Sequence, residues 1–196
     1  MQPTLILHGG AGSMTNMTDP RAARYRDGLR KAARAGVERL QAGESALEAA
    51  IASTVCMEDS GVFNAGLGSC LTSAGTIEMD AALMDGRDRD FGAVAGVRGV
   101  ANPILLARHV MADTVHCLLG AEGASDFARE LGLRFRKDFP SSERMKDWET
   151  KRRTLDSLVG IESLSEQVAS LGGALREQED DPVGRGDTVG VCVLHR

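Results

Sequence analysis

Thr188 stands where a charged, polar stretch gives way to an apolar one, in GRGDTVGVCVLHR at residues 184–196. A threonine hydroxyl is a weak nucleophile near neutral pH and needs a base. A threonine at the start of a chain carries that base itself, because an α-amine titrates well below a lysine ε-amine. Cutting the Asp187–Thr188 bond would create such a terminus. A pliable segment before the bond and a fixed strand after it suit the cut, and TVGVCVL alternates with Val189, Val191 and Val193 on one side. The plainer reading is a threonine that merely opens a strand, and on these residues alone it is the preferred one.

Three further groups could do chemistry. HGGAG at residues 8–12 has the composition of an oxyanion-hole turn, yet the chain has no G-x-S-x-G nucleophile elbow to go with it. It has no Gly-Lys pair or G-x-G-x-x-G either, so a phosphate loop is unsupported and a structural glycine turn is the simpler reading. In NAGLG at 64–68, Asn64 could hydrogen-bond beside a site or cap its own turn. Glu78 and Asp80 lie two apart on one strand face, which suits acid–base or metal work and equally a hydrogen-bonded strand face. The RGD tripeptide at 185–187 reads as incidental.

The chain has 196 residues, 42% of them hydrophobic, enough for one domain with its own core. A net charge of −5 argues against nucleic acid as a partner, since phosphate binding wants a basic face. RAARYRDGLRKAAR at 21–34 interleaves its arginines with apolar residues and reads as the solvated face of a helix. No apolar run reaches the length of a membrane span, and MQPTLILHGGAG lacks the basic start of a signal peptide. The expectation is a cytoplasmic protein without a membrane partner. Cys56, Cys70, Cys117 and Cys192 are scattered and read as free thiols, and His8, His109, His116 and His195 show no metal-ligand spacing.

The elements that must position these residues follow from periodicity and punctuation. TLIL predicts a buried strand at 4–7, and Asp19-Pro20 opens a helix that Gly43 ends. Ser45 with Glu48 forms a capping box for a second helix. A glycine-dense loop at 61–75 leads into TIEMDAALMDG, an alternating strand, with FGAVAGVRGV as its hairpin partner. Asn102-Pro103 caps a short helix, VHCLLGAEGA at 115–124 reads as a strand, and SDFARELG as a helix. Residues 138–187 are polar and read as a flexible linker with one weak helix near 161–171. The order predicts layered α/β packing, with helices outside antiparallel sheets.

LILHGGAG, FNAGLGSCLTSAGTIEMDAALMDG, FGAVAGVRGVANPILLARHVM and GDTVG occur in this order over roughly residues 4–135 and 186–194. Together they resemble the plant-type asparaginase and isoaspartyl peptidase family of N-terminal-nucleophile hydrolases. The resemblance implies an αββα four-layer sandwich of the α/β (α+β) class. It implies self-cleavage before Thr188, with Asp187 ahead of the bond, and hydrolysis of the side-chain amide of L-asparagine and of β-aspartyl dipeptides. Asn64 matches a residue near the nucleophile, and Gly10 a turn packed at the cleavage site. Backbone carbonyls of Met57, Glu58, Ser60, Phe63, Ala65 and Leu67 would hold a structural sodium ion, with no organic cofactor. The implied partners are a small-molecule substrate and, for a complete enzyme, a second αβ unit in a homodimer.

On this resemblance, residues 1–137 are the globular part of an α subunit, 138–187 a flexible linker ending at the cleavage site, and 188–196 the first strand of a truncated β subunit. Family precursors continue far beyond the nucleophile, into the oxyanion donors and the Arg and Asp that clamp the substrate. The chain alone is therefore expected to be inactive, with an incomplete sandwich and its substrate-binding residues in the missing β region. The alternatives are a threonine aspartase, a glycosylasparaginase-type hydrolase, or a non-catalytic remnant that binds a partner through its unfinished sheet.

Overall fold

The computed structural model describes residues 2–10, 20–137, 139–158 and 188–195. Along the chain run β1 (Thr4–His8), α1 (Pro20–Gln41), α2 (Ala46–Ser60), β2 (Met79–Asp85), β3 (Asp90–Val97), α3 (Pro103–Asp113), β4 (Leu118–Gly120), α4 (Ala121–Glu130), α5 (Ser142–Leu158) and β5 (Gly190–Leu194). The chain is thus a mixture of helices and sheets, as expected.

Local chemistry sets the helix ends. Gly43 follows α1 at φ +81°, and Gly61 closes α2 at φ +67°, both in the left-handed region where glycine carries no steric penalty. Ser45 Oγ accepts the Glu48 backbone N–H at 3.2 Å, which is one half of a capping box. The Glu48 carboxylate turns instead to Arg108 on α3, Nη2 to Oε1 at 2.6 Å. α1 and α2 lie against each other through Gly36, where a Cβ would overlap Ser53 Oγ and stand 3.0 Å from the Ala49 carbonyl oxygen. Ser53 Oγ donates to the Ala32 carbonyl at 2.9 Å across the same seam.

The strands form two sheets. β5 pairs antiparallel with β1, from Thr4 opposite Leu194 to His8 opposite Gly190. α1 and α2 cover one face of this ladder, where Leu7, Val189 and Val191 join Ala32, Met57 and Phe63 in one core. In the second sheet β2 and β3 form the expected hairpin. β4 pairs with β3 in parallel, a departure from the all-antiparallel expectation. α3 supplies the crossover that a parallel pair needs. Met79, Val94, Val97, Leu106 and Val110 build the core on that side. Ile6 and Leu194 on the first sheet, and Met84, Phe91 and Leu118 on the second, are exposed.

Other boundaries differ from the sequence reading. β2 starts at Met79 because residues 72–76 close a turn first, with the Thr72 N–H donating to the Thr76 carbonyl at 2.8 Å. β4 spans only three residues, and α4 starts at Ala121, before the expected helix. Within the linker expected over 138–187, Ser142–Leu158 form helix α5, and residues 159–187 lie outside the described ones. Ser141 Oγ accepts the Arg144 N–H at 3.3 Å at its start, the hydrogen bond of an N-cap. The weak helix expected near 161–171 lies outside the described residues.

Asn102 does not cap α3 with its own side chain. Glu58, buried at 2% exposure in the last turn of α2, takes that role, its Oε1 accepting the Ile104 N–H at 3.2 Å. Its Oε2 accepts from Asn102 Nδ2 at 3.1 Å. Asp59 beside it accepts from Asn102 Nδ2 at 3.2 Å and Arg134 Nη2 at 2.8 Å, and pairs with Arg136. Burial pushes the Glu58 carboxyl from 4.5 up to about 8, outweighing the donors from Asn102 and Ile104 that favour its charged form.

Two outcomes follow from this packing. Gly36→Ala should lower stability by about 1–3 kcal/mol in urea unfolding, because overpacking the α1–α2 seam outweighs the gain of about 1 kcal/mol in helix propensity; a stabilised variant would refute the close seam. Glu58 contributes stability fully at low pH, where both folded and unfolded states hold its proton. Between about 4.5 and about 8 the folded state keeps a proton that the unfolded chain has released, so stability falls as pH rises through that window. The slope reaches at most about 1.4 kcal/mol per pH unit. Unfolding midpoints from about pH 5 to about pH 9 should show this slope in the parent and lose it in Glu58→Gln.

Candidate active site

The register of β1 with β5 decides what lies near Thr188. Because His8 is opposite Gly190 in an antiparallel ladder, the glycine turn after His8 and Thr188 before β5 emerge at the same end of the sheet. The fit is close: a Cβ at Gly190 would overlap His8 Nε2. Gly10 has φ +117°, a conformation glycine adopts at little cost, and its N–H donates to His8 Nδ1 at 3.3 Å. The Thr188 side chain is exposed, and its hydroxyl donates to the Val189 carbonyl at 3.3 Å. Asp187, Ala11, Gly12 and the RGD tripeptide lie outside the described residues.

A cleft of about 760 Å³ runs between β2 and β5 with α2 along it. Thr188 borders it, as do Asn64, Ala65 and Gly66 of the glycine turn. The turn is a single 3₁₀ turn over Gly66–Gly68, closed by the Gly68 N–H to the Ala65 carbonyl at 3.1 Å. Asn64 Oδ1 accepts the Cys70 N–H at 2.8 Å. The structure therefore brings Thr188 and Asn64 to one cleft, while Gly10 relates to Thr188 through the β1–β5 ladder.

Glu78 and Asp80 also border the cleft, but each is engaged. Glu78 pairs with Arg98, and Asp80 Oδ1 accepts the Gly96 N–H at 2.7 Å. Asp80 lies within the register shift between Met79 and Ala81, so its carboxylate pins an irregular part of the hairpin. Of the two readings held open for this pair, the hydrogen-bonded strand face is the one these contacts support.

The six residues matched to a carbonyl-lined cation loop run from the last turn of α2 into the same glycine turn. Glu58 and Phe63 direct their carbonyl oxygens at the turn's glycines: a Cβ at Gly66 would overlap the Glu58 oxygen, and one at Gly68 the Phe63 oxygen. The Met57 carbonyl accepts from Ser60 Oγ at 2.7 Å, and the Ala65 carbonyl from the Gly68 N–H. Backbone carbonyls are the donor type that suits a hard cation, and those of Met57 and Ala65 accept the hydrogen bonds just given. Among the described residues no group of three or more His, Cys, Asp or Glu side chains could hold a metal.

Two residues at this turn were not singled out in the sequence. Arg144 Nε donates to the Gly68 carbonyl at 2.6 Å, and Trp148 Nε1 to the Thr72 carbonyl at 2.8 Å. Both stand on α5.

The asparaginase family model matches residues 1–196. An isoaspartyl peptidase/L-asparaginase from Xenopus laevis is 47% identical over 133 residues, which are 68% of this chain and 42% of that protein. A plant-type L-asparaginase from Thermococcus kodakarensis is 47% identical over 151 residues, 77% of this chain and 48% of its own length. A plant-type L-asparaginase from Pyrococcus furiosus is 46% identical over 151 residues, again 48% of its length. The chain thus matches a little under half the length of these relatives. With the glycine turn at Asn64 and the Thr188 strand bordering one cleft, the HGG turn beside that strand in the β1–β5 ladder, and the family match spanning every residue, the chain belongs to the asparaginase family.

Proposed function

We propose that this chain supplies the nucleophile-bearing part of a threonine hydrolase acting on the side-chain amide of L-asparagine and on β-aspartyl dipeptides. The observation that carries the reading is that Thr188, at the start of β5, and Asn64, on the glycine turn, border the same cleft. Cleavage of Asp187–Thr188 frees the α-amine of Thr188, which takes the proton from its own hydroxyl. The oxygen then attacks the side-chain carbonyl carbon. The C–N bond breaks, ammonia or the peptide amine leaves with the transferred proton, and an aspartyl ester remains on Thr188. Water, deprotonated by the same amine, hydrolyses that ester to aspartate and restores the hydroxyl. Asn64 is proposed to hydrogen-bond beside the nucleophile, and the turn at Gly10 to support the strand that carries Thr188. The residues that clamp the substrate's α-carboxylate are not assigned to this chain.

A sodium ion on the carbonyls of Met57, Glu58, Ser60, Phe63, Ala65 and Leu67 would supply rigidity to the turn that carries Asn64. The assembled enzyme is proposed to be an αββα sandwich and a dimer of αβ units. Supporting the sandwich, each sheet carries helices on one face and exposed apolar side chains, such as Ile6 and Phe91, away from them. A reducing, cytoplasmic setting is supported by the four free cysteines Cys56, Cys70, Cys117 and Cys192.

Release of aspartate from L-asparagine and from a β-aspartyl dipeptide tests the proposal in the native protein. Thr188→Ala should lower turnover by about 10⁴-fold, and Thr188→Ser should keep a measurable fraction of it. Undiminished hydrolysis by Thr188→Ala would remove Thr188 from the reaction.

A further inference from the structure

The glycine turn is held by a helix that lies far away in sequence. We propose that α5 is a strap that fixes the geometry of residues 64–76, and that Arg144 is the positioning residue through which it acts on Asn64. The consequence for catalysis rests on the function proposed above; the strap itself does not.

Arg144 and Trp148 are four residues apart on α5 and therefore share a face. Each donates to a backbone carbonyl of the glycine segment: Arg144 Nε to Gly68 at 2.6 Å, Trp148 Nε1 to Thr72 at 2.8 Å. The two acceptors are also four residues apart. Midway between them lies Cys70, whose N–H donates to Asn64 Oδ1 at 2.8 Å. The strap thus grips the backbone on both sides of an amide that orients Asn64.

The grip is built for rigidity. The Arg144 side chain is only 10% exposed, and its near carboxylate, Asp147 Oδ2, stands 3.8 Å from Nη1. A guanidinium placed in so dry a position depends on its hydrogen bonds, and a charge-assisted bond to a carbonyl is stronger than a neutral one. Gly68 has no room to adjust, since its other side presses on the carbonyls of Phe63 and Gly61. The Trp148 ring lies over Gly75, where a Cβ would stand 3.1 Å from Cζ2, and Arg152 covers the ring at 5.2 Å from its centroid. A further ion pair ties Glu143 of α5 to Arg24 of α1 at 3.5 Å. Without Arg144, the Gly68 carbonyl would lose a donor in a place water reaches poorly.

Hydrogen exchange read by mass spectrometry on the native protein tests the strap directly. Arg144→Ala should speed exchange of the Cys70 amide and its neighbours in 66–76 about tenfold, while amides of α1 and α3 keep the parent's rates. Arg144→Lys, which still donates to Gly68, should recover part of that protection. In the turnover assay, Arg144→Ala should lower kcat about tenfold and leave KM within about twofold, with Arg144→Lys between the two. Unchanged exchange over 66–76, or exchange that rises equally across the whole chain, overturns the strap. If the native protein shows no turnover dependent on Thr188, the proposed function falls, and the exchange rates still decide the strap on their own.

Discussion

Phe63 fits where it does only because three glycines, two at its ring and one at its carbonyl, lack side chains. A Cβ at Gly9 would stand 2.5 Å from its ring, one at Gly28 would stand 2.8 Å from it, and one at Gly68 would overlap its carbonyl oxygen. The ring is fully buried and meets Tyr25 edge-on at 5.6 Å between centroids. These contacts bring three parts of the chain to one point: the turn after β1, the middle of α1, and the loop that carries Asn64. Since β1 in turn sets the place of β5, the position of Thr188 relative to Asn64 traces back to this one ring. A protein core is close-packed and transmits such constraints with little slack.

A second junction, built from charge rather than apolar volume, joins the two helical groups. Glu58 and Asp59 end α2, and their carboxylates receive Asn102, the N-terminus of α3, and Arg134. Glu58 thus serves two ends. Its side chain anchors α3, which packs on β2 and β3, and its carbonyl faces Gly66 in the glycine turn. The helix N-terminus favours a nearby carboxylate, whereas burial disfavours the charge, and the larger effect here is burial. The first sheet with its helices and the second sheet with its own are therefore held in register by a polar hinge next to the cleft.

Much of this was legible in the sequence, for identifiable reasons. The start of α1 at Pro20, the Gly43 stop and the Ser45 cap are local signals, and the structure obeys them. The β2–β3 hairpin was legible from alternation. What depended on partners distant in sequence was not. Asn102 looked like a cap because it precedes Pro103; its side chain is drawn away by Glu58, 44 residues earlier. The parallel pairing of β4 depends on the α3 crossover rather than on its three residues. α5 was misread because its face toward the protein is made by Arg144 and Trp148, which reach carbonyls through polar atoms instead of forming an apolar stripe. Ser141 ahead of Arg144 was the one local sign of that helix. Of the candidate site, Thr188, Asn64 and Gly10 could be named from motifs, but the cleft that relates the first two emerges only when β2 and β5 are folded.

The chemistry proposed for Thr188 requires that Thr188 become a chain terminus. The intact mass of the native protein, taken after incubation near neutral pH, measures this without reference to any substrate. Two fragments whose masses meet at Asp187–Thr188 are the predicted result, with threonine at the start of the second. A single mass that retains the Asp187–Thr188 bond, in a preparation that hydrolyses asparagine or a β-aspartyl dipeptide, would contradict it, because the base assigned to the nucleophile would then not exist.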